Sequence, residues 1–175
     1  VTVIKPKIAL LLAICLALPS SHALAQATPE YRAKAGFLYN FIAFTEWPPK
    51  VGSPLTLCVY GADPFGDELN ALRGKAVGGR SLAVRRVTGL EKLKGCQVVF
   101  VASTAINDLP RILDTLQDEP VLTIADAPGA LDAGVGINMV LSQGRIAFEV
   151  NLEATRNAQL NLSSKLLRLA SRVRQ

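Results

Sequence analysis

Four short runs, three of them largely apolar, constrain the architecture of this chain more than any other feature. Leu55 to Tyr60, Leu82 to Val87, Gln97 to Val101 (QVVFV) and Val121 to Ala125 are of strand length and rich in strand formers. QVVFV is apolar almost throughout, which places it at the centre of a sheet buried on both faces. The segments between the runs carry helix signals. Asp63 can cap a helix over Phe65 to Leu72, with Pro64 at its first position. Thr88 to Lys94 reads as a short helix or turn. Asn107 or Asp108 can cap a helix through Leu116, with Pro120 beyond it. Strand and helix alternating at this spacing make a parallel α/β sheet with helices on both faces.

The flanks complete the picture. Pro29 and Glu30 suit a first helical turn, and residues 30–44 follow with Phe37, Phe41 and Phe44 on one face, expected to meet the core. Pro48-Pro49 ends that helix. Ile137 to Leu141 and Arg145 to Val150 flank Ser142-Gln143-Gly144 as a hairpin. The last element, Glu153 to Val173, reads as helical with a break near Asn161 to Ser163. Its Leu162, Leu166, Leu169 and Val173 are spaced to pack on the sheet. Lys165, Arg168 and Arg172 fall on an adjoining face. No internal repeat or long linker divides the chain. The expectation is one three-layer α/β domain over residues 26–175, with a mostly parallel sheet, helices on both faces and a C-terminal hairpin plus helix.

Residues 1–25 read as a secretory signal. Lys5 and Lys7 precede an uncharged run from Ile8 to Leu18, and Ala23-Leu24-Ala25 supplies small residues where a signal peptidase cuts. A membrane span needs about 20 apolar residues, more than this run offers. Cleavage after Ala25 places the mature domain outside the cytoplasm. It also lowers the 19 basic residues to 17 against 14 acidic ones, a net charge of +3. That is too mild a charge for a nucleic-acid footprint. The one histidine, His22, leaves with the signal. The mature domain then has no imidazole, and so lacks the commonest general base and metal ligand. Cys58 and Cys96 remain. Two thiols in an oxidising compartment most simply form a disulfide. Cys58 lies in the first apolar run and Cys96 just before the third, so the bridge requires neighbouring strands.

No catalytic motif of the nucleophile-elbow, P-loop or dinucleotide type is present. Asp126, Asp132 and Glu149 have no histidine to work with, and Asp63 and Asp67 sit where capping explains them. We therefore expect no enzyme activity, no metal and no cofactor. The aromatics are more informative. Tyr31, Phe37, Tyr39, Phe41, Phe44 and Trp47 crowd one short segment. Tyr39 and Trp47 point away from the Phe face, and such amphipathic rings serve equally as core or as interface anchors.

Three stretches resemble the YfiR/HmsC family of periplasmic regulators. The first runs from Tyr31-Arg32-Ala33-Lys34-Ala35 through Phe37-Leu38-Tyr39-Asn40-Phe41 to Thr45-Glu46-Trp47-Pro48. The second is Leu57-Cys58-Val59-Tyr60-Gly61 with Asp63-Pro64-Phe65. The third is Ile137-Asn138 with Gly144 to Asn151 and Leu160 to Leu167. The resemblance implies a repressor that contacts the periplasmic domain of a membrane-bound diguanylate cyclase and lowers cyclic-di-GMP and biofilm matrix. It further implies capture by an outer-membrane lipoprotein, a homodimer, and redox control through cysteines. Cys58 and Cys96 match one cysteine pair of the family. The second pair of some members is absent, which leaves at most one bridge. We place the partner contact at Tyr39, Trp47 and the hairpin residues Gln143 and Arg145. The alternative is a periplasmic small-ligand module associated with a sensor kinase or receptor. Its ligand would sit at the carboxyl ends of the strands, near Gly61 to Pro64, Ala102 to Thr104 and Asp126 to Gly129.

Overall fold

The computed structural model describes residues 28–175. The signal segment expected over residues 1–25 lies outside the described residues. In chain order the elements are α1 (Pro29–Ala43), β1 (Thr45–Glu46), β2 (Leu55–Tyr60), β3 (Ala76–Val77), β4 (Arg80–Val87), β5 (Val98–Val101), α2 (Leu109–Thr115), β6 (Leu122–Ala125), β7 (Ile137–Ser142), β8 (Arg145–Asn151), α3 (Leu152–Asn157), β9 (Asn161–Leu162), α4 (Ser164–Leu167) and β10 (Arg172–Arg174). Short 3-10 helices occupy Gly66–Leu72, Leu90–Leu93 and Ser103–Asp108.

Eight strands form one sheet in the order β10-β8-β7-β6-β5-β2-β4-β3. The stretch from β4 to β7 is parallel throughout. The β7–β8 hairpin and the short β3 are antiparallel. As the sequence implies, β5 is central, between β2 and β6. All six residues of β2 are buried, and they alternate between two faces. Leu55, Leu57 and Val59 join a core beneath α1, whereas Cys58 and Tyr60 join a second core beneath α2. Side chains alternate along a strand, so a sheet covered on both sides needs this double apolar pattern.

Two expectations are corrected. The apolar face of α1 carries Lys34, Ala35, Leu38, Phe41 and Ile42, so of the expected Phe37, Phe41 and Phe44 only Phe41 is fully buried. The helix stops at Ala43, so Phe44 is its C-cap and is exposed, while Phe37 is half-buried. Nor is the segment 153–173 one helix. α3 ends where Gln159 takes φ 58°, in the left-handed region. Asn161 and Leu162 then pair with Glu46 and Thr45, and the Ser163 hydroxyl caps α4 by accepting from the Leu166 amide. After α4 the chain becomes extended as β10, parallel to β8. Of the supposed stripe only Leu166 is buried, while Leu169 is 73% exposed and Val173 lies on the outer strand. Local backbone capping by Ser163 overrides the apolar spacing here.

The first core centres on aromatic contacts. Phe41 meets Phe148 edge-on with ring centroids 4.9 Å apart, and Phe65 meets Phe100 at 4.8 Å. Replacing a fully buried phenylalanine with alanine removes its transfer energy and leaves a cavity, about 3–5 kcal/mol together. Phe41→Ala should lose at least ~3 kcal/mol in urea unfolding. Phe44→Ala should stay within ~1 kcal/mol of the parent.

Candidate functional site

The cysteines are joined. Cys58 in β2 and Cys96, ahead of β5, form a disulfide with Cα atoms 5.9 Å apart, 38 positions apart in the chain. β2 and β5 are hydrogen-bonded neighbours, which meets the condition the spacing demanded. The bond lies on the α2 side of the sheet, inside the second core.

The four expected contact residues fall in two places. Tyr39 is half-buried; its hydroxyl donates to the Ala76 carbonyl of β3 (3.2 Å), and Lys75 lies over its ring. Trp47 is also half-buried, and its indole N–H donates to the Ile42 carbonyl at the end of α1 (3.3 Å). Gln143 and Arg145 are exposed on the β7–β8 hairpin. That hairpin extends past the last residue of β6, since β6 ends opposite Asn138 while β7 continues to Ser142. Gln143 (φ 49°) and Gly144 (φ 72°) form the left-handed two-residue turn that matches strand twist. Four strands separate the β3 edge, where Tyr39 rests, from β7. Tyr39 and the hairpin are therefore separate surfaces.

A charged centre that sequence reasoning missed lies where α1 crosses the carboxyl end of β6. Lys34 Nζ donates to Asp126 Oδ2 (2.7 Å) and pairs with Glu30 (2.5 Å), and the Tyr31 hydroxyl donates to the same Asp126 oxygen (2.9 Å). The Lys34 and Asp126 side chains are only 4% and 1% exposed. Asp126 Oδ1 has no hydrogen-bond partner among the described residues. Burial alone lowers the Lys34 pKa, but the hydrogen bonds to Asp126 and Glu30 outweigh it and hold the ammonium above its ordinary 10.5. Burial raises the Tyr31 phenol, and the bond to Asp126 adds to the rise. A lysine in register with Leu38 and Phe41 on an otherwise apolar helix face was the available signal. Its partner is 92 residues away and could not be read from the sequence.

This centre also bears on where a small ligand could go. The carboxyl end of β6 is occupied by side chains of α1. At the end of β2, Gly61 packs so closely on Ala105 that a Cβ there would lie 2.7 Å from the alanine methyl. Next to it the Tyr60 hydroxyl donates to Asp108 (3.2 Å). Two clefts, of about 570 and 600 Å3, open instead at the amino ends of the strands, where Val121 leads into β6. The first is lined by acids, among them Asp114, Asp118, Asp132 and Glu153, and by Arg174, which pairs with Asp132 (3.8 Å).

Removing one partner of a buried ion pair strands the other charge, at a typical cost of 3–5 kcal/mol. Asp126→Ala should therefore destabilise the domain by about 3 kcal/mol in chemical unfolding, and Lys34→Met in the same background should recover much of that. The pH sign follows from the raised Lys34 pKa. The pair contributes fully below pH 10.5 and is lost as pH rises through the higher folded value. Alkaline melting curves should show a larger loss in the parent than in the double variant, where the raised phenols of Tyr31 and Tyr60 still contribute.

Among solved structures, the fold is similar to a Streptococcus pneumonia structure described as an ABC domain in complex with L-Trp. The TM-score is 0.54 at 10% identity, covering 82% of this chain and 60% of that one. It is also similar to a conserved domain protein from Vibrio cholerae, with TM-score 0.55 at 9% identity, covering 85% and 61%. The chain spans about three fifths of the length of these two structures, and at such identity the likeness is one of fold. A family model described as YfiR/HmsC-like matches residues 31–171, which takes in all but the first two residues of α1, the sheet strands β2 to β8, the Cys58–Cys96 bridge and α4. This chain belongs to the YfiR/HmsC-like family.

Proposed function

We propose that the domain is a periplasmic repressor that binds the periplasmic domain of a membrane-bound diguanylate cyclase and lowers cyclic-di-GMP, and with it biofilm matrix. The family match across residues 31–171 carries the reading. The bridge at Cys58 and Cys96 supports it, because these are the positions of a family cysteine pair. So does the closed state of the Lys34–Asp126 centre, whose charges are spent on each other rather than presented to a substrate.

The mechanism is occupancy. A folded domain that binds one state of a receptor better than the other shifts the receptor toward that state. Moving a two-state cyclase from almost fully on to almost fully off takes roughly a 10,000-fold preference, about 5.5 kcal/mol. An interface of standard size, about 1,600 Å2, can supply that difference. Capture of the domain by an outer-membrane lipoprotein, or opening of the disulfide, reverses the shift. A homodimer is the assembly that the family implies. The contact residues we propose are Tyr39 and Trp47 on one surface and Gln143 and Arg145 on the other.

A second reading, a small-ligand module serving a sensor kinase or receptor, draws support from the two amino-end clefts, whose volumes are in the usual ligand range. A thermal-shift screen of periplasmic metabolites tests it. A raised melting temperature without any effect of the gene on cyclic-di-GMP would favour it over repression.

Deleting the gene in the native host should raise cytoplasmic cyclic-di-GMP, and the wild-type gene should restore it. Cys58→Ser/Cys96→Ser should restore it poorly if the bridge is needed; no rise on deletion contradicts the repressor reading. Gln143→Asn should stabilise the domain by up to ~1 kcal/mol, because asparagine tolerates the left-handed turn better. If the hairpin is a contact surface, Gln143→Asn and Arg145→Glu should still weaken repression in the same assay. Full repression by both, with Trp47→Ala defective and thermally stable, moves the contact to the α1 side.

A further inference from the structure

Among the described residues, the two most exposed large apolar side chains lie on neighbouring segments. Leu141 is 60% exposed and Leu169 is 73% exposed. Leu141 pairs in register with half-buried Ile146 near the tip of the β7–β8 hairpin. Alternation puts both on the face whose Met139 and Phe148 enter the first core. The turn carrying Leu169 is tied to the same arm, because the Ser171 amide and hydroxyl both donate to the Phe148 carbonyl (2.8 and 2.9 Å). The charge around these leucines has one sign. No Asp or Glu occurs in residues 137–148 or 154–175. Arg172 and Arg174 reach back to Asp132 and Glu149. Arg145, Lys165 and Arg168 are exposed and form no ion pair among the described residues.

We propose that the hairpin tip and the turn after α4 together form a docking face for an anionic phospholipid surface. Leu141 and Leu169 enter the boundary between headgroups and acyl chains, and Arg145, Lys165 and Arg168 meet the lipid phosphates. Aliphatic side chains ringed by Lys and Arg are the composition of an interfacial anchor. The centre of a protein contact is richer in Trp and Tyr and poorer in Leu and Lys. A second copy of this chain fits worse, because it would set the same cations against each other. Basic side chains near an anionic bilayer are attracted within about a Debye length of it, so salt weakens the contact. Two leucines and three cations make a weak and reversible anchor, and the domain stays peripheral.

The purpose of this anchor rests on the repressor reading, because a domain held at the membrane meets a membrane receptor at raised effective concentration. The binding itself is tested without any cyclase, so either can fail without the other. Purified protein covering residues 26–175 is mixed with phosphatidylglycerol-rich vesicles or with phosphatidylcholine vesicles and sedimented. It should pellet with the first, stay in solution with the second, and be released from the first by high salt. Leu141→Ser/Leu169→Ser and Lys165→Glu/Arg168→Glu should each lower the bound fraction several-fold. The melting temperature should hold, since all four side chains are exposed. Lys92→Glu/Lys94→Glu, an equal change of charge on the turn before β5, should leave binding unaltered. Equal loss in that control would reduce the binding to diffuse net charge and overturn the proposal. Failure to pellet with anionic vesicles would also overturn it. Loss of repression by the folded leucine pair variant would then assign the patch to a protein contact.

Discussion

The buried pair between Lys34 and Asp126 fixes the relation of α1 to the sheet. An apolar helix face can slide over an apolar sheet at small cost, because hydrophobic attraction has no direction. An ammonium buried against a carboxylate cannot slide, since displacement by a few ångströms leaves two charges unpaired in a low-dielectric interior. Glu30 and Tyr31 complete the tie at the start of α1, and the β1–β9 pairing holds the segment that follows its end. Helix position then follows, and with it the edge-on contacts of Phe41 with Phe148 and of Tyr31 with Phe65.

That constraint also shapes what the domain can do. Open parallel sheets commonly bind ligands beyond the carboxyl ends of their strands. Here α1 places Lys34 and Tyr31 at the end of β6, and Ala105 closes on Gly61 at the end of β2. The fold is shared with a domain found bound to L-Trp, but these carboxyl-end positions are occupied by the protein's own side chains. What remains for recognition is surface: the hairpin beyond β6, the half-buried rings beside α1, and the amino-end clefts. Such an arrangement suits a protein that acts by contact.

Much of the fold was legible because it rests on local rules. Apolar runs of strand length gave β2, β5 and β6, the Gln143-Gly144 pair gave the hairpin, and Pro29 gave the start of α1. Cys58 and Cys96 could be paired because two thiols leave one pairing. The failures occur where local and tertiary preferences part. Residues 153–173 carry helical spacing, yet the Ser163 cap, the left-handed Gln159 and the free edge of β8 divide them into two short helices and two strands. Lys34 broke the apolar pattern of α1 and was the visible sign of a buried charge. Its partner lay in another element, and pairing of that kind is set by three-dimensional packing. The contact residues remain the least legible part, because half-buried Tyr39 and Trp47 satisfy core and surface roles equally well.

The central claim is that the domain represses by stoichiometric contact on the periplasmic side of the membrane. Spheroplasts of the deletion strain expose that face, so purified protein covering residues 26–175 can be titrated onto them while their internal cyclic-di-GMP is measured. The account predicts a saturable fall, with a plateau reached once the membrane receptor is filled. It also predicts that heat-denatured protein has no effect. Unchanged cyclic-di-GMP at concentrations where the folded protein is in clear excess would contradict it.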